Sequence, residues 1–357
     1  MKRIVLTGGG TAGHVTPHLS LIPRLQAAGY EIHYIGRGSS IEYDIIRPIE
    51  GVTYHPISSG KLRRYFSWEN FTDVFRVARG IIQSVFLLRK IKPDVCFSKG
   101  GFVSIPVVIA ARICRVPTVC HESDLTPGLA NRISGRFAQC IATTFPECAA
   151  CLGDKGVMTG TPLRKELFTG DRTRGLALAG FDGKKPVLLV TGGSQGAQAI
   201  NLCLHESLPK LLPQMDILHL CGTGNLNEAL LDVDGYTQIE FLQSEMPDAI
   251  AAADFVLSRA GSNTLSELLA LKKPMLLVPY PLSASRGDQI KNAESFVKQG
   301  FAHVLRQEDL TAYTLVDALD ALLKQRETLQ SAMEACPVCD GTDAVLQLIE
   351  DVQTRRD

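Results

Sequence analysis

The residues with most chemical content stand in glycine-rich segments that each follow a short apolar run. The first is Gly8-Gly9-Gly10-Thr11-Ala12-Gly13-His14. It fits a GxGxxG spacing between a strand and a helix, where absent side chains admit a phosphate and the helix start offers N–H groups and partial positive charge. Such a loop usually serves a dinucleotide, with an acidic residue closing the next strand to hold a ribose. Here the next strand closes on Ile35-Gly36-Arg37. Arg37 suits a 2′-phosphate, so an NADP-dependent oxidoreductase stands as a competing reading. The second segment, Gly192-Gly193-Ser194-Gln195-Gly196-Ala197, offers the Ser194 hydroxyl to a diphosphate oxygen. One dinucleotide site does not need it. Lys99-Gly100-Gly101-Phe102 reads, on spacing alone, as a tight turn.

The fourth segment runs Arg259-Ala260-Gly261-Ser262-Asn263-Thr264-Leu265-Ser266-Glu267. A helix beginning near Ser262 puts Glu267 in its second turn. A carboxylate there can accept hydrogen bonds from the two vicinal hydroxyls of a ribose. It can equally be an ordinary glutamate compensating a helix dipole, worth about 0.3–1 kcal/mol. Position alone leaves both open.

These loops need a scaffold, and the hydrophobic pattern supplies one. Strands are expected at Lys2–Thr7, Glu31–Ile35, Val95–Phe97 and Thr118–Cys120. Helices are expected at Pro17–Ala28, at Phe71–Arg89 with Val74, Val77, Ile81 and Val85 at helical spacing, and at Pro106–Cys114. After Pro162 the pattern restarts with the strand Val187–Thr191, then Asp216–Leu220, Phe255–Leu257 and Met275–Val278, each expected to lead into a helix. The chain therefore reads as α/β, two similar parallel-sheet units in series with a switch near Gly160–Glu166. Ligands in such sheets bind beyond the carboxyl ends of the strands. Two such units facing each other would form one cleft.

At 357 residues the chain has the length of two domains. Apolar residues at 45% and charged residues at 21% fit a folded globular protein. With 37 basic against 37 acidic residues the net charge is zero, which argues against a nucleic-acid partner. Lys2-Arg3 leads directly into a short strand, so no signal peptide is expected, and no apolar run reaches the ~18 residues of a spanning helix. Of ten cysteines, those such as Cys96, Cys114, Cys120 and Cys221 read as buried free thiols. The pairs Cys148/Cys151 and Cys336/Cys339 have CxxC spacing. Four thiolates could hold a structural zinc, but the pairs lack the usual knuckle glycines and Ala149-Ala150 reads as helix interior, so reduced, unliganded thiols are expected.

Taken together, the ordered motifs resemble the MurG family, which adds N-acetylglucosamine to lipid I to make lipid II in peptidoglycan synthesis. The resemblance rests on GGTAGHVTP from Gly9, SKGGFVSIP from Ser98, HESDLTPGLAN from His121, GTPLR from Gly160, GGSQGAQAIN from Gly192, the Arg259–Glu267 segment and DQIKNA from Asp288. His121-Glu122-Ser123-Asp124 departs from the His-Glu-Gln-Asn of many members, which leaves the donor contact of Asp124 open. HESDLTPGLAN and ISSGKLRR (57–64) resemble versions from Gram-positive bacteria.

The resemblance implies two Rossmann-like domains facing across a cleft, the GT-B type. An acceptor and membrane-side domain would span 1–161, a UDP-sugar domain 162–335, and a segment 336–357 would pack back on the first. It implies that Thr11, Ala12 and Gly13 line the first loop and that Ser194 and Arg164 face the diphosphate. The backbone of Leu242 would meet the uracil. Ser262, Asn263, Thr264, Leu265, Ser266 and Glu267 would hold uracil and ribose, and Gln289 the sugar hydroxyls.

The implied reaction is inverting, the C4 hydroxyl of the muramic sugar attacking the anomeric carbon as UDP leaves. A base must take the hydroxyl proton. His14 is the first candidate, opening a helix with an unperturbed pKa near neutrality. A diphosphate-binding or capping histidine is the alternative, and Glu122 or Asp124 are alternative bases. With the diphosphate on helix starts and Arg164, neither metal nor cofactor is expected. The acceptor's lipid implies peripheral contact with the cytoplasmic face of the cell membrane, for which Lys61, Arg63, Arg64, Tyr65, Phe66 and Trp68 are candidates. A noncatalytic UDP-sugar-binding protein completes the competing readings.

Overall fold

The computed structural model describes residues 2–60, 69–193, 195–337 and 340–354; the side chains of 12 and 69–72 also lie outside the description. The membrane candidates at 61, 63–66 and 68, together with Ser194 and Cys339, fall outside the described residues.

The chain divides into two compact units, Met1–Arg164 with Asp340–Asp357, and Lys165–Cys339. In the first, β1 (Lys2–Gly8), α1 (Thr16–Ala27), β2 (Tyr30–Arg37), α2 (Ile41–Ile46), β3 (Val52–Ile57) and α3 (Glu69–Ile91) follow in order. Next come β4 (Val95–Gly100), α4 (Ser104–Ile113), β5 (Thr118–Glu122), α5 (Leu129–Ser134), β6 (Cys140–Thr143), α6 (Pro146–Cys151) and β7 (Gly156–Met158). Their parallel sheet has the order β3-β2-β1-β4-β5-β6-β7.

Strand side chains alternate between two helix-covered faces. Ile4, Leu6, Ile32, Tyr34, Val95 and Phe97 join one core cluster, and Val5, Ile35 and Cys96 join another. Both faces being covered is why these strands read as continuous apolar runs.

The second unit contains α7 (Arg172–Ala179), β8 (Val187–Thr191), α8 (Gln198–Leu211), β9 (Asp216–Leu220), β10 (Tyr236–Ile239), α9 (Met246–Ala252) and β11 (Phe255–Ser258). It continues with α10 (Ser262–Ala270), β12 (Met275–Leu277), α11 (Asp288–Lys298), β13 (Ala302–Val304) and α12 (Ala312–Glu334). Its parallel sheet has the order β10-β9-β8-β11-β12-β13. One expectation fails here. β9 does not lead into an α-helix, because Gly222 and Gly224 take φ of 92° and 75°. The chain instead makes a 3-10 turn at Glu228–Leu230 and enters β10.

A last helix, α13 (Thr342–Thr354), belongs to the first unit and puts Val345, Ile349 and Val352 into its core cluster. Its approach is pinned by hydrogen bonds from backbone N–H groups: Leu163 N–H donates to the side chains of Asp340 (Oδ1, 3.2 Å) and Thr342 (Oγ1, 3.1 Å), and Gly341 N–H to the Thr161 carbonyl (3.0 Å). A Cβ on Gly341 would lie 2.5 Å from the Gly160 carbonyl, so only glycine admits this crossing.

The apolar residues at helical spacing on α3 do not form its inner face. Val74 is exposed and Val77, Ile81 and Val85 are only partly buried, whereas Asp73, Gly80, Ser84, Leu88 and Ile91 face inward. A Cβ on Gly80 would meet the Ser58 carbonyl at 2.1 Å and Pro106 Cβ at 3.3 Å. Close backbone approach selects small residues for the buried face and leaves an apolar stripe outside. Cys114 is likewise half-buried, while Cys96, Cys120 and Cys221 are buried.

Ile349 has no exposed surface. Ile349→Ala is expected to destabilise the chain by about 2–5 kcal/mol through lost burial and the cavity left behind. Gln347→Ala, on the exposed face of the same helix, should change stability by less than about 0.5 kcal/mol. Urea unfolding of both variants checks this.

Candidate functional site

In the first unit the chain leaves β1 on one side and β4 on the other, so their carboxyl ends diverge into neighbouring loops, the usual position of a ligand site. The loop after β1 carries a 3-10 turn, Ala12–His14. His14 Nδ1 lies 3.0 Å from the Gly9 carbonyl and 3.2 Å from Thr11 Oγ1. A carbonyl only accepts, so Nδ1 carries the proton and donates to it. The neutral ring then has its lone pair on Nε2. Burial, and next the Lys99 ammonium, push the imidazole below its ordinary pKa, against the Gly9 carbonyl, Asp124 and Glu42, which pull it up. Near neutral pH this histidine is a neutral imidazole able to accept a proton.

The same loop is not an open phosphate cradle. Glu42 of α2 is buried, and its carboxylate accepts the Gly10 N–H at 3.1 Å and the Arg37 N–H at 3.4 Å. A Cβ on Gly9 would lie 2.4 Å from Glu42 Cδ, so the glycine admits a carboxylate. A phosphate seated there would face that charge, which removes the physical basis for the dinucleotide reading. Thr11 is exposed beside His14.

Glu122, an alternative base, is held by hydrogen bonds. At the end of β5 it is 5% exposed, and its carboxylate accepts from Asp124 N–H (3.1 Å), Gly128 N–H (2.9 Å) and Asn131 Nδ2 (3.0 Å). Its lone pairs organise the loop 123–128 and the start of α5. Burial and the neighbouring Asp124 raise its pKa, opposed by Lys99 and these donors. Asp124, half-exposed, lies within electrostatic reach of both His14 and Lys99. Arg164 is partly buried, and no acceptor among the described residues reaches its Nε.

Lys99 is the residue that sequence reasoning passed over. It is the penultimate residue of β4, is 2% exposed and donates to Ser123 Oγ. A lysine closing an apolar strand was the available signal; its glycine neighbours drew attention to the turn instead.

In the second unit, the loop after β8 turns through Gly193 and Gly196, with φ of 88° and 71°. A Cβ on Gly196 would meet the Cys221 carbonyl at 2.0 Å. Gly261, before α10, offers no capping side chain to that helix start. Ser262, Asn263, Thr264 and Glu267 are partly exposed on α10. The side chains of Leu265 and Ser266 face inward: Leu265 is fully buried, and the buried Ser266 donates its hydroxyl to the Ser262 carbonyl. Helical periodicity turns these two toward the core. Leu242 also buries its side chain, beside the exposed Phe241.

Gln289, at the start of α11, accepts the Tyr280 N–H on Oε1 (3.2 Å), which orients its amide nitrogen outward from that contact. Arg259 stacks on the Tyr280 ring (4.2 Å) and donates to the Val278 carbonyl (3.0 Å), holding this loop from beneath. Among the described residues no group of three or more His, Cys, Asp or Glu is arranged for a metal. Cys148 is buried in α6 while Cys151 is exposed.

Comparison with known proteins decides the family. The glycosyltransferase family 28 N-terminal domain matches residues 4–143, and the family's C-terminal domain matches 187–347. A UDP-N-acetylglucosamine–N-acetylmuramyl-(pentapeptide) pyrophosphoryl-undecaprenol N-acetylglucosamine transferase of Clostridium kluyveri is 53% identical over 351 residues, covering 98% of this chain and 99% of that one. The chain belongs to the MurG family. A second relative, from Bacillus cereus and of the same name with the suffix 2, is 50% identical over 353 residues, covering 99% of both chains. The crystal structure of Acinetobacter baumannii MurG shares the fold at a TM-score of 0.79 and 24% identity, covering 98% of this chain and 100% of that chain. MurG membership also accounts for the paired α/β units, one for each family domain.

Each unit buries a histidine beside its strand ends. His18 packs edge-on against Tyr34 and Phe97, and His219 bonds Tyr236 and Asn201. Burial lowers both pKa values to about 3. The unfolded chain therefore takes up protons below about pH 6.5 that the folded chain refuses. Stability is fully present above that value and falls as pH drops from there toward 3, by about 1.4 kcal/mol per unit for each histidine. Denaturant unfolding at pH 7 and 5.5 is expected to show the loss, with a shallower slope in His18→Phe.

Proposed function

We propose that the chain transfers N-acetylglucosamine from UDP-N-acetylglucosamine to the C4 hydroxyl of the muramic sugar of lipid I, an undecaprenyl-diphosphate-linked acceptor. The product is lipid II, for peptidoglycan synthesis and so for cell-wall growth and division. The observation that carries the mechanism is the His14 ring, anchored through Nδ1–H to the Gly9 carbonyl with a basic Nε2. In the reaction Nε2 accepts the C4 hydroxyl proton as that oxygen bonds the anomeric carbon. The bond from that carbon to the diphosphate oxygen breaks, UDP leaves with the electron pair, and the configuration inverts.

Donor binding falls to the second unit. The start of α10, without a side-chain cap, suits an anionic or polar ligand. Ser262, Asn263, Thr264, Leu265 and Ser266 are assigned to the uracil and ribose, and Glu267 to the ribose hydroxyls. Gln289 serves the sugar hydroxyls, with Leu242 contributing backbone to the uracil. Ser194 and Arg164 are assigned to the diphosphate, and the Arg164 Nε without an acceptor favours that role. Thr11, Ala12 and Gly13 are assigned to the reacting sugar beside His14, Asp124 to orientation there. The unit of residues 1–164 takes the acceptor, and 165–339 supplies most of the donor contacts.

No helix among the described residues is long and apolar enough to cross a membrane. Peripheral contact with the cytoplasmic face of the cell membrane is supported by the outer stripe of α3. Phe75, Ile82 and Phe86 are 74%, 58% and 67% exposed, at positions that share a helix face with Arg79, and Ile113 is exposed beside Arg112 and Arg115. Contiguous exposed apolar groups flanked by cations suit an anionic lipid surface.

Glu267→Ala should weaken UDP binding by about 1.5–3 kcal/mol, the range for hydrogen bonds to a charged group. Calorimetry reads this directly; unchanged affinity would take Glu267 off the ribose, and binding of NADPH instead would overturn the donor assignment. His14→Ala should lower turnover by about 100- to 10,000-fold at saturating donor, with donor affinity retained. Lost affinity with surviving turnover would make His14 a binding residue. Formation of lipid II from lipid I and labelled donor by the purified chain tests the whole reading.

A further inference from the structure

The strand order puts β4 between β1 and β5. Lys99, the penultimate residue of β4, thus stands between the loop that carries His14 and the loop that carries Ser123 and Asp124. Its packing is tight on the β1 side: a Cβ on Gly8 would lie 3.1 Å from Lys99 Cβ. The turn that follows it is pressed against the same loop. Gly100 and Gly101 take φ of 92° and 82°, and a Cβ on Gly101 would come within 2.1 Å of the Gly9 carbonyl oxygen and 3.1 Å of His14 Nδ1. On the other side the ammonium donates to Ser123 Oγ, next to Glu122 and Asp124. A lysine rarely has 2% exposure without a purpose for its charge, since desolvating an ammonium costs several kcal/mol.

We propose that Lys99 is a positioning residue of the transfer site: its buried ammonium ties the Ser123–Asp124 loop to the His14 loop and sets the electrostatic environment of the His14 ring. The proposal rests on His14 being the base. Lys99 does not touch the reacting atoms; it acts through the groups that do.

The charges around the ring define the direction of the effect. His14 is faced by Lys99 from β4, Asp124 from the β5 loop and Glu42 from α2, and His18 of α1 lies within electrostatic reach. Lys99 also acts on His121 of β5. Asp124 and Glu42 favour the imidazolium, which cannot accept a proton; Lys99 opposes them. The lysine is itself softened by burial to about 8, with Glu122 and Asp124 holding it up. It remains charged at neutral pH and below, the range in which His14 must be kept neutral.

The test uses the full chain and two readouts. Histidine-labelled protein is titrated by NMR without substrate, and kcat/KM for transfer is measured against pH. In Lys99→Met the positive charge is gone, so His14 is expected to protonate at higher pH than in the wild type. The acidic limb of the kcat/KM profile should move up with it, and kcat/KM at neutral pH should fall by about 100-fold, the scale of a misplaced catalytic group. UDP affinity should be unchanged. Lys99→Arg should restore the His14 titration. Should Lys99→Met fail to fold, Ser123→Ala removes the ammonium's acceptor alone and is expected to lower kcat with KM for the donor unchanged. An unshifted His14 titration in Lys99→Met, or wild-type kcat in Ser123→Ala, would overturn the proposal. If His14 titrates as expected but the wild type transfers no sugar, the transferase reading fails while the electrostatic role of Lys99 stands.

Discussion

Parallel strands all deliver their carboxyl ends to one edge of the sheet, and where successive strands are added to opposite sides, two neighbouring loops must part. That geometry governs both units, between β1 and β4 and between β8 and β11. In the first unit the parting loops still pack against each other. Gly8 and Gly101 are fixed by the approach of Lys99, His14 and the Gly9 carbonyl, where a single added carbon would collide. Their glycines are therefore required by backbone contact, with His14 held as a consequence. In the second unit the same requirement falls on Gly196 against the Cys221 carbonyl.

Burial of charge is the second constraint. Glu42, Lys99 and Glu122 are each at most 5% exposed. A buried ionisable group is tolerated when hydrogen bonds and opposite charges replace its water. Glu122 has three donors, Glu42 has backbone N–H groups, and Lys99 has Ser123 with two carboxylates nearby. The result is a set of loops locked by polar contacts around one imidazole whose Nδ1 is committed and whose Nε2 is basic. Such preorganisation would serve the transfer proposed for His14.

The outer helices answer to a different demand. α3 lies close to the segment around Ser58 and Pro106, which only Gly80 and other small residues permit. Its apolar residues then have nowhere to go but outward. An apolar helix face is usually read as the buried one, and that rule fails where backbone proximity rather than side-chain volume decides packing. The result is an exposed apolar face on α3.

Much of this was fixed by local patterns that the chain carries in itself. The strands Val187–Thr191 and Asp216–Leu220 were legible to the residue, since strands buried on both faces must be apolar and are bounded by turn formers. The glycine motifs located four strand-end loops, and their order identified the family. The roles within the loops were not legible. Glu122 and Lys99 stand in motifs as plausible chemistry and plausible turn, and only the tertiary contacts show how each is held. Glu122 accepts from three donors nine or fewer residues away, while Lys99 is placed beside a loop twenty-four residues distant. Glu42 carries no sequence signal at all, because what it does depends on a glycine thirty-two residues earlier. Spacing records what a segment does with its own backbone. Which charges share a dry space is decided by strand order, and that is a property of the folded chain alone.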